Sequence, residues 1–143
     1  MSDLSHSEPS SAVDTVVVPR TSDLGDFEVK RALPSAQRRS VGAFVFLDEM
    51  GPALFPANTG MDVRPHPHIG LETVTYLYEG GIMHRDSAGH TQLISPGEVN
   101  WMTAGRGIVH SERSSEEARK GPQRLYGLQT WVALPRQHEE TDP

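Results

Sequence analysis

An all-β sandwich or barrel is the fold class that the sequence predicts, on three observations. Short runs of alternating or β-branched apolar residues recur at spacings of roughly 8–12 residues. Glycine and proline, 13 and 11 residues, punctuate the gaps between them. Only one segment, SSEEARKGP (residues 114–122), has the look of a helix or polar-loop insert. At 143 residues the chain is about one domain long and can bury one core.

The elements follow in order. MSDLSHSEPSSAVD, residues 1–14, is rich in Ser, Asp, Glu and Pro and reads as a disordered leader. The domain is expected over residues 15–135, beginning near TVVVPR. DFEVKRALP alternates Phe27 and Val29 against Glu28 and Lys30, the period of a half-buried strand. AFVFLDEM (43–50) suits a strand covered on both faces, and GPALFPANTG (51–60), with two Pro and two Gly, predicts an irregular loop. LETVTYLYEGG (71–81) is strand-like and closed by a Gly-Gly turn signal. GIMHRD, SAGH and TQLI (81–94) form a hairpin pattern, and SPGE turns into VNWMTAG and GRGIVHSE. RLYGLQTWVAL (124–134) is the last strand, with Tyr126, Leu128, Val132 and Leu134 on one face; residues 136–143 form a loose polar tail. Trp101 and Trp131 are expected in the core.

The chemistry concentrates in RPHPHIGLETVTY and GIVHSE. Residues two apart on a strand share a face, so His66 pairs with His68, and His110 with Glu112, while Ser111 points away. Pro65 and Pro67 favour extended backbone at the residues before them and donate no ladder hydrogen bond, which predicts a sheet edge or strand entrance. An isolated HxH is common without any metal; it is the two pairs together that point to one site. Three imidazoles and a carboxylate suit Fe(II), Mn(II), Ni(II), Cu(II) or Zn(II) rather than Mg(II) or Ca(II), and an octahedral ion so held keeps two positions open. Glu72 lies on the histidine face if the strand continues unbroken and is expected in the second layer around the metal. His84 and His90 read as surface or turn residues, although His84 is placed to approach the site. GRG lacks the lysine and the strand-then-helix setting of a phosphate loop and reads as a tight turn before His110. Leu71, Phe46, Met83 and Trp101 are expected to supply apolar contacts.

Composition narrows the function classes. A net charge of −6 argues against direct nucleic-acid binding, which needs a basic face. With no cysteine, disulfides, thiolate ligands and Cys nucleophiles are excluded. No signal-peptide pattern, membrane-length apolar run or basic nuclear-targeting run is visible, so the expectation is a cytoplasmic protein.

RPHPHIGLETVTYLYEGG, PGEVNWMTAGRGIVHSE and LYGLQTWVALP resemble the amino-terminal domain of the pirin family, within the cupin superfamily. Gly60 to His68 also fits the first cupin motif, in which a Glu placed like Glu72 is often a ligand; the pirin pattern favours Glu112. The resemblance implies a single cupin domain, a double-stranded β-helix of jelly-roll type. It implies a metal held by His66, His68, His110 and Glu112, with Fe(II) the usual ion. The implied activity is quercetin 2,3-dioxygenase chemistry on a flavonol or similar aromatic, with Glu112 also the catalytic proton acceptor. The alternative is an iron-dependent, redox-sensing coregulator module without catalysis. Pirins carry two cupin domains where this chain has the length of one, so an uncovered apolar face and a homodimer are expected.

Overall fold

The computed structural model describes residues 12–25 and 27–143. Apart from residues 12–14, the expected leader lies outside the described residues. Among the described residues ten strands are formed: β1 (Arg20–Asp23), β2 (Glu28–Leu33), β3 (Phe44–Phe55), β4 (Asp62–His68), β5 (Leu71–Glu79), β6 (Ile82–Asp86), β7 (Thr91–Ile94), β8 (Val99–Thr103), β9 (Ile108–Arg113) and β10 (Gln123–Ala133). The expected insert contains one short helix, α1 (Glu116–Arg119), capped by Ser115, whose Oγ accepts from the Ala118 N–H at 3.1 Å.

Two antiparallel sheets face one another in a jelly roll. One has six strands in the order β1-β2-β3-β10-β5-β8, the other four in the order β4-β9-β6-β7. Between them lie Val29, Met50, Phe55, Met61, Leu77, Ile82, Ile94 and Leu125, and full burial of each such large side chain stabilises by roughly 1.5–3 kcal/mol. β4 stands at a sheet edge and pairs with β9, as a strand containing Pro65 and Pro67 should.

Three expectations are corrected. The loop predicted over residues 51–60 is strand as far as Phe55. A register shift opposite Leu125 and Gly127 accommodates Gly51 and Pro52, since a bulge tolerates proline where a regular ladder does not. Gly51 has φ +80°, and a Cβ there would stand 2.2 Å from the Leu125 carbonyl oxygen, so the bend requires glycine.

On β10, Tyr126, Leu128 and Val132 share a face as expected, and it points outward; Leu125, Gly127, Gln129 and Trp131 face the other sheet. Register fixes this, because Trp131 sits beside Phe46 and Thr73, whereas Leu128 sits beside Glu49 and Tyr76. Trp101, second, lies beside Val74 on that outer face and is 56% exposed rather than in the core. Finally, the charged tail is not loose throughout: the Arg106 N–H donates to the Thr141 carbonyl at 2.9 Å, and Arg106 pairs with Asp142.

Candidate metal centre

β9 lies between β4 and β6, so its inward residues meet partners on both sides. His66 is opposite His110, which is opposite Asp86; Val63 is opposite Glu112, which is opposite His84. The ligand nitrogens of His66, His68 and His110 all lie within 4.8 Å of one another.

His66 Nδ1 is 2.8 Å from the Arg64 carbonyl oxygen. A carbonyl only accepts, so the ring proton of neutral His66 sits on Nδ1 and its Nε2 carries a lone pair. That Nε2 is 3.1 Å from His110 Nε2. Metal–nitrogen bonds of about 2.1 Å meeting at a right angle would hold two nitrogens about 3 Å apart, so this spacing fits a shared ion.

Electrostatics favour the same state. Burial, then the neighbouring imidazoles, pushes His110 down to about 3. Burial and His66 push His68 down to about 4. Both rings are therefore neutral at physiological pH, the form that ligates a metal. Burial pushes the Glu112 carboxyl up, outweighing the hydrogen bond from Gln129 and the nearby histidines. Glu112 is buried two residues from His110 on β9 but lies outside the group of three histidines, with its Oε1 accepting from Gln129 Nε2 at 2.9 Å.

His66 and Glu112 open into a cavity of about 200 Å³, walled by Phe27, Val29, Phe46, Met50, Gln129 and Trp131 among others. Phe46 and Trp131 stack with centroids 4.0 Å apart and planes 10° from parallel. Arg31 lies 4.5 Å over the Phe46 ring and grips Asp48 with two bonds of 2.8 and 2.7 Å.

Of the expected apolar contacts, Phe46 lines this cavity and Leu71, Met83 and Trp101 do not. Glu72 is not near the metal cluster's second layer; it accepts from Thr103 Oγ1 at 3.0 Å on the outer face of β5. The cause is the break between β4 and β5 at Ile69 and Gly70, where Gly70 takes φ +68° and the strand parity is lost. His84 is 3% exposed, not a surface residue, and its Nδ1 stands 3.4 Å from His110 Nδ1. Sequence reasoning missed Gln129, Asp86 and the Arg31–Asp48 pair. A glutamine in the middle of the apolar run LYGLQTWVAL was the one visible signal.

A family model described as Pirin matches residues 26–132. The chain belongs to the pirin family. It is 57% identical over 133 residues to a Pirin-like protein of Caulobacter vibrioides, covering 92% of this pirin and 46% of that one. Pirin-like protein 2 of Arabidopsis thaliana is 42% identical over 118 residues, covering 80% and 32%. The crystal structure of a quercetin 2,3-dioxygenase from Acinetobacter baumannii superposes with a TM-score of 0.82 at 47% identity, covering 88% of this chain and 41% of that one. The chain thus spans less than half the length of these relatives. Its cupin fold agrees with that of the solved relative, and among the described residues no helix is long and apolar enough to cross a membrane.

Proposed function

We propose that this pirin holds a divalent transition metal, Fe(II) foremost, through His66, His68 and His110, with Glu112 supplying the carboxylate, and that it oxidises a flavonol or similar planar aromatic in the manner of quercetin 2,3-dioxygenase. The observation that carries the reading is the convergence of three imidazole nitrogens, one of which, His66, lines an aromatic cavity together with Glu112. The likeness to a solved quercetin 2,3-dioxygenase supports the substrate class.

The bound metal would supply Lewis acidity at a chelating hydroxyl and access to O₂. The chain's own groups do the rest. Phe46 and Trp131, stacked on one another, give the cavity an aromatic lining that excludes water. Gln129 holds one oxygen of Glu112, and burial raises the proton affinity of that carboxylate, as suits the acceptor of a substrate hydroxyl proton near neutral pH. The cavity is smaller than the roughly 300–1,000 Å³ that encloses a drug-sized ligand, so one ring enters and the remainder stays outside. In the overall reaction both atoms of O₂ enter the opened flavonol and one carbon leaves as carbon monoxide.

The test is oxygen uptake on adding quercetin to anaerobically Fe(II)-loaded protein, with iron quantified in the same sample. Uptake proportional to iron and absent in Glu112→Ala supports the reading. Full iron occupancy without uptake overturns the flavonol assignment and leaves another substrate or a regulatory role.

The outer face of the six-stranded sheet is proposed to pack against a second copy of this chain. Leu47, Val74, Tyr76, Leu128, Val99 and Trp101 form its apolar centre, and Lys30 opposite Glu49 puts both charge signs at its margin. An apolar centre with a mixed-charge rim can complement itself across a two-fold axis. Sedimentation showing only monomer at micromolar concentration overturns this assembly.

A further inference from the structure

We infer that His84 and Asp86 are positioning residues for the metal centre: their hydrogen-bond chain holds His110 in the tautomer that turns a bare Nε2 toward His66 and His68. The inference rests on the metal-site reading above. It begins at the β6–β7 turn, where Asp86 Oδ1 accepts the backbone N–H groups of Ala88 and His90, each at 3.0 Å. That leaves Oδ2 to His84 Nε2, also at 3.0 Å, between side chains only 3% and 4% exposed. His90 Nδ1 contacts the same carboxylate from the solvent side at 3.2 and 3.3 Å.

The direction of each bond follows from elementary chemistry. A carboxylate accepts and cannot donate, so the single ring proton of neutral His84 sits on Nε2 and its Nδ1 carries a lone pair. His110 Nδ1, 3.4 Å from that lone pair, must then be the N–H that donates. His110 Nε2 is thereby left bare. It faces His66 Nε2 at 3.1 Å, which the Arg64 carbonyl has made bare from the other side. Two lone pairs at this distance repel unless a cation lies between them. Outer partners of this kind orient ligand imidazoles generally, and their loss costs about 10–100-fold in metal affinity. Here they come from one hairpin, whose turn locks the carboxylate and whose strand carries the histidine.

Asp86→Asn tests the chain without changing its shape. The two backbone N–H groups keep the amide oxygen, so the amide N–H₂ faces His84 and every bond in the chain reverses. The proton of His110 then sits on Nε2 and blocks coordination. The expected result is Fe(II) affinity lower by about 10–100-fold in anaerobic chelator competition. The ring nitrogen-15 spectrum of the metal-free protein should show the His110 proton moved from Nδ1 to Nε2. His84→Leu should lose affinity similarly, and His84→Asn, whose amide oxygen can occupy the place of Nδ1, should restore much of it. Wild-type affinity together with an unmoved His110 proton in Asp86→Asn overturns the inference. Wild-type protein that takes up no Fe(II) defeats the metal reading instead; the nitrogen-15 spectrum still reads the tautomer, and a His110 proton on Nε2 in the wild type overturns the inference.

Discussion

The two sheets of this pirin divide the work unequally. The four-stranded sheet holds His66, His68, His84, Asp86, His110 and Glu112 on three adjacent strands, β4, β9 and β6. The six-stranded sheet contributes no histidine to the cluster, but supplies the aromatic wall and Gln129. Its outer face has an apolar centre, where the smaller sheet's inner face sets the polar cluster beside Ile82 and Ile94. One sheet is thus built around a buried charge problem, which neutral imidazoles and matched hydrogen bonds keep affordable. The other is built around area, inside against the core and outside over the apolar centre proposed above to pack against a second copy.

The largest expected effect lies on the four-stranded sheet. His110→Ala and His66→Ala should each abolish stoichiometric Fe(II) binding by metal analysis, while Leu128→Ala on the other sheet leaves it intact. Stoichiometric iron in His66→Ala would refute the ligand assignment.

Within the six-stranded sheet the two faces can be set against one another. Leu77, 0% exposed, should cost about 2–5 kcal/mol when cut to Ala, read as a lower midpoint in urea unfolding. Val99, 57% exposed, should cost no more than about 0.5 kcal/mol. Equal losses at the two positions would mean that the outer face is as tightly packed as the core.

Acid should separate the sheets as well. His68 and His110 are held at about 4 and about 3 when folded, against an ordinary 6.5. Between these values the unfolded chain binds protons that the folded one refuses. Stability of the metal-free protein is therefore full above about 6.5 and falls as pH drops toward 3. Glu112 has the opposite sign, because its raised pKa gives stability that is full below the ordinary 4.5 and lost as pH rises through the folded value. Thermal melts across this range should fall more steeply on the acid side in Glu112→Gln than in the parent. A flat profile in both proteins would show that the histidines are not desolvated.

The smallest expected change in stability is at Trp101. Trp101→Ser should shift the unfolding free energy by no more than about 0.5 kcal/mol, yet move a sedimenting dimer to monomer. A dimer that survives the substitution places the contact elsewhere.

Much of this was legible in the sequence because β structure has a period of two. That period put His66 with His68 and His110 with Glu112, and the two prolines of β4 marked a sheet edge. The hairpin of β6 and β7 and the turn before β9 were readable from Gly and polar punctuation. Parity fails where the chain bends, and so Glu72, beyond the break at Gly70, was misplaced. Parity also says which residues share a face but not which face turns inward, which is why the direction of the β10 face was left unassigned and the exposed Trp101 was misjudged. Asp86 carries no local mark, Gln129 only its place inside an apolar run, and His84 only its position in the hairpin. Their roles depend on β6 and β10 lying beside and across from β9.

The sequence by itself determined the strands, the pairs of residues sharing a face and the family, because dihedral preference, side-chain alternation and motif are properties of neighbours along the chain. The tertiary structure alone decided which nitrogens meet, which of them are bare and which apolar face is left outside. Those depend on strand order and register, where contacts between residues as distant as His66 and His110 are settled by the closing of two sheets.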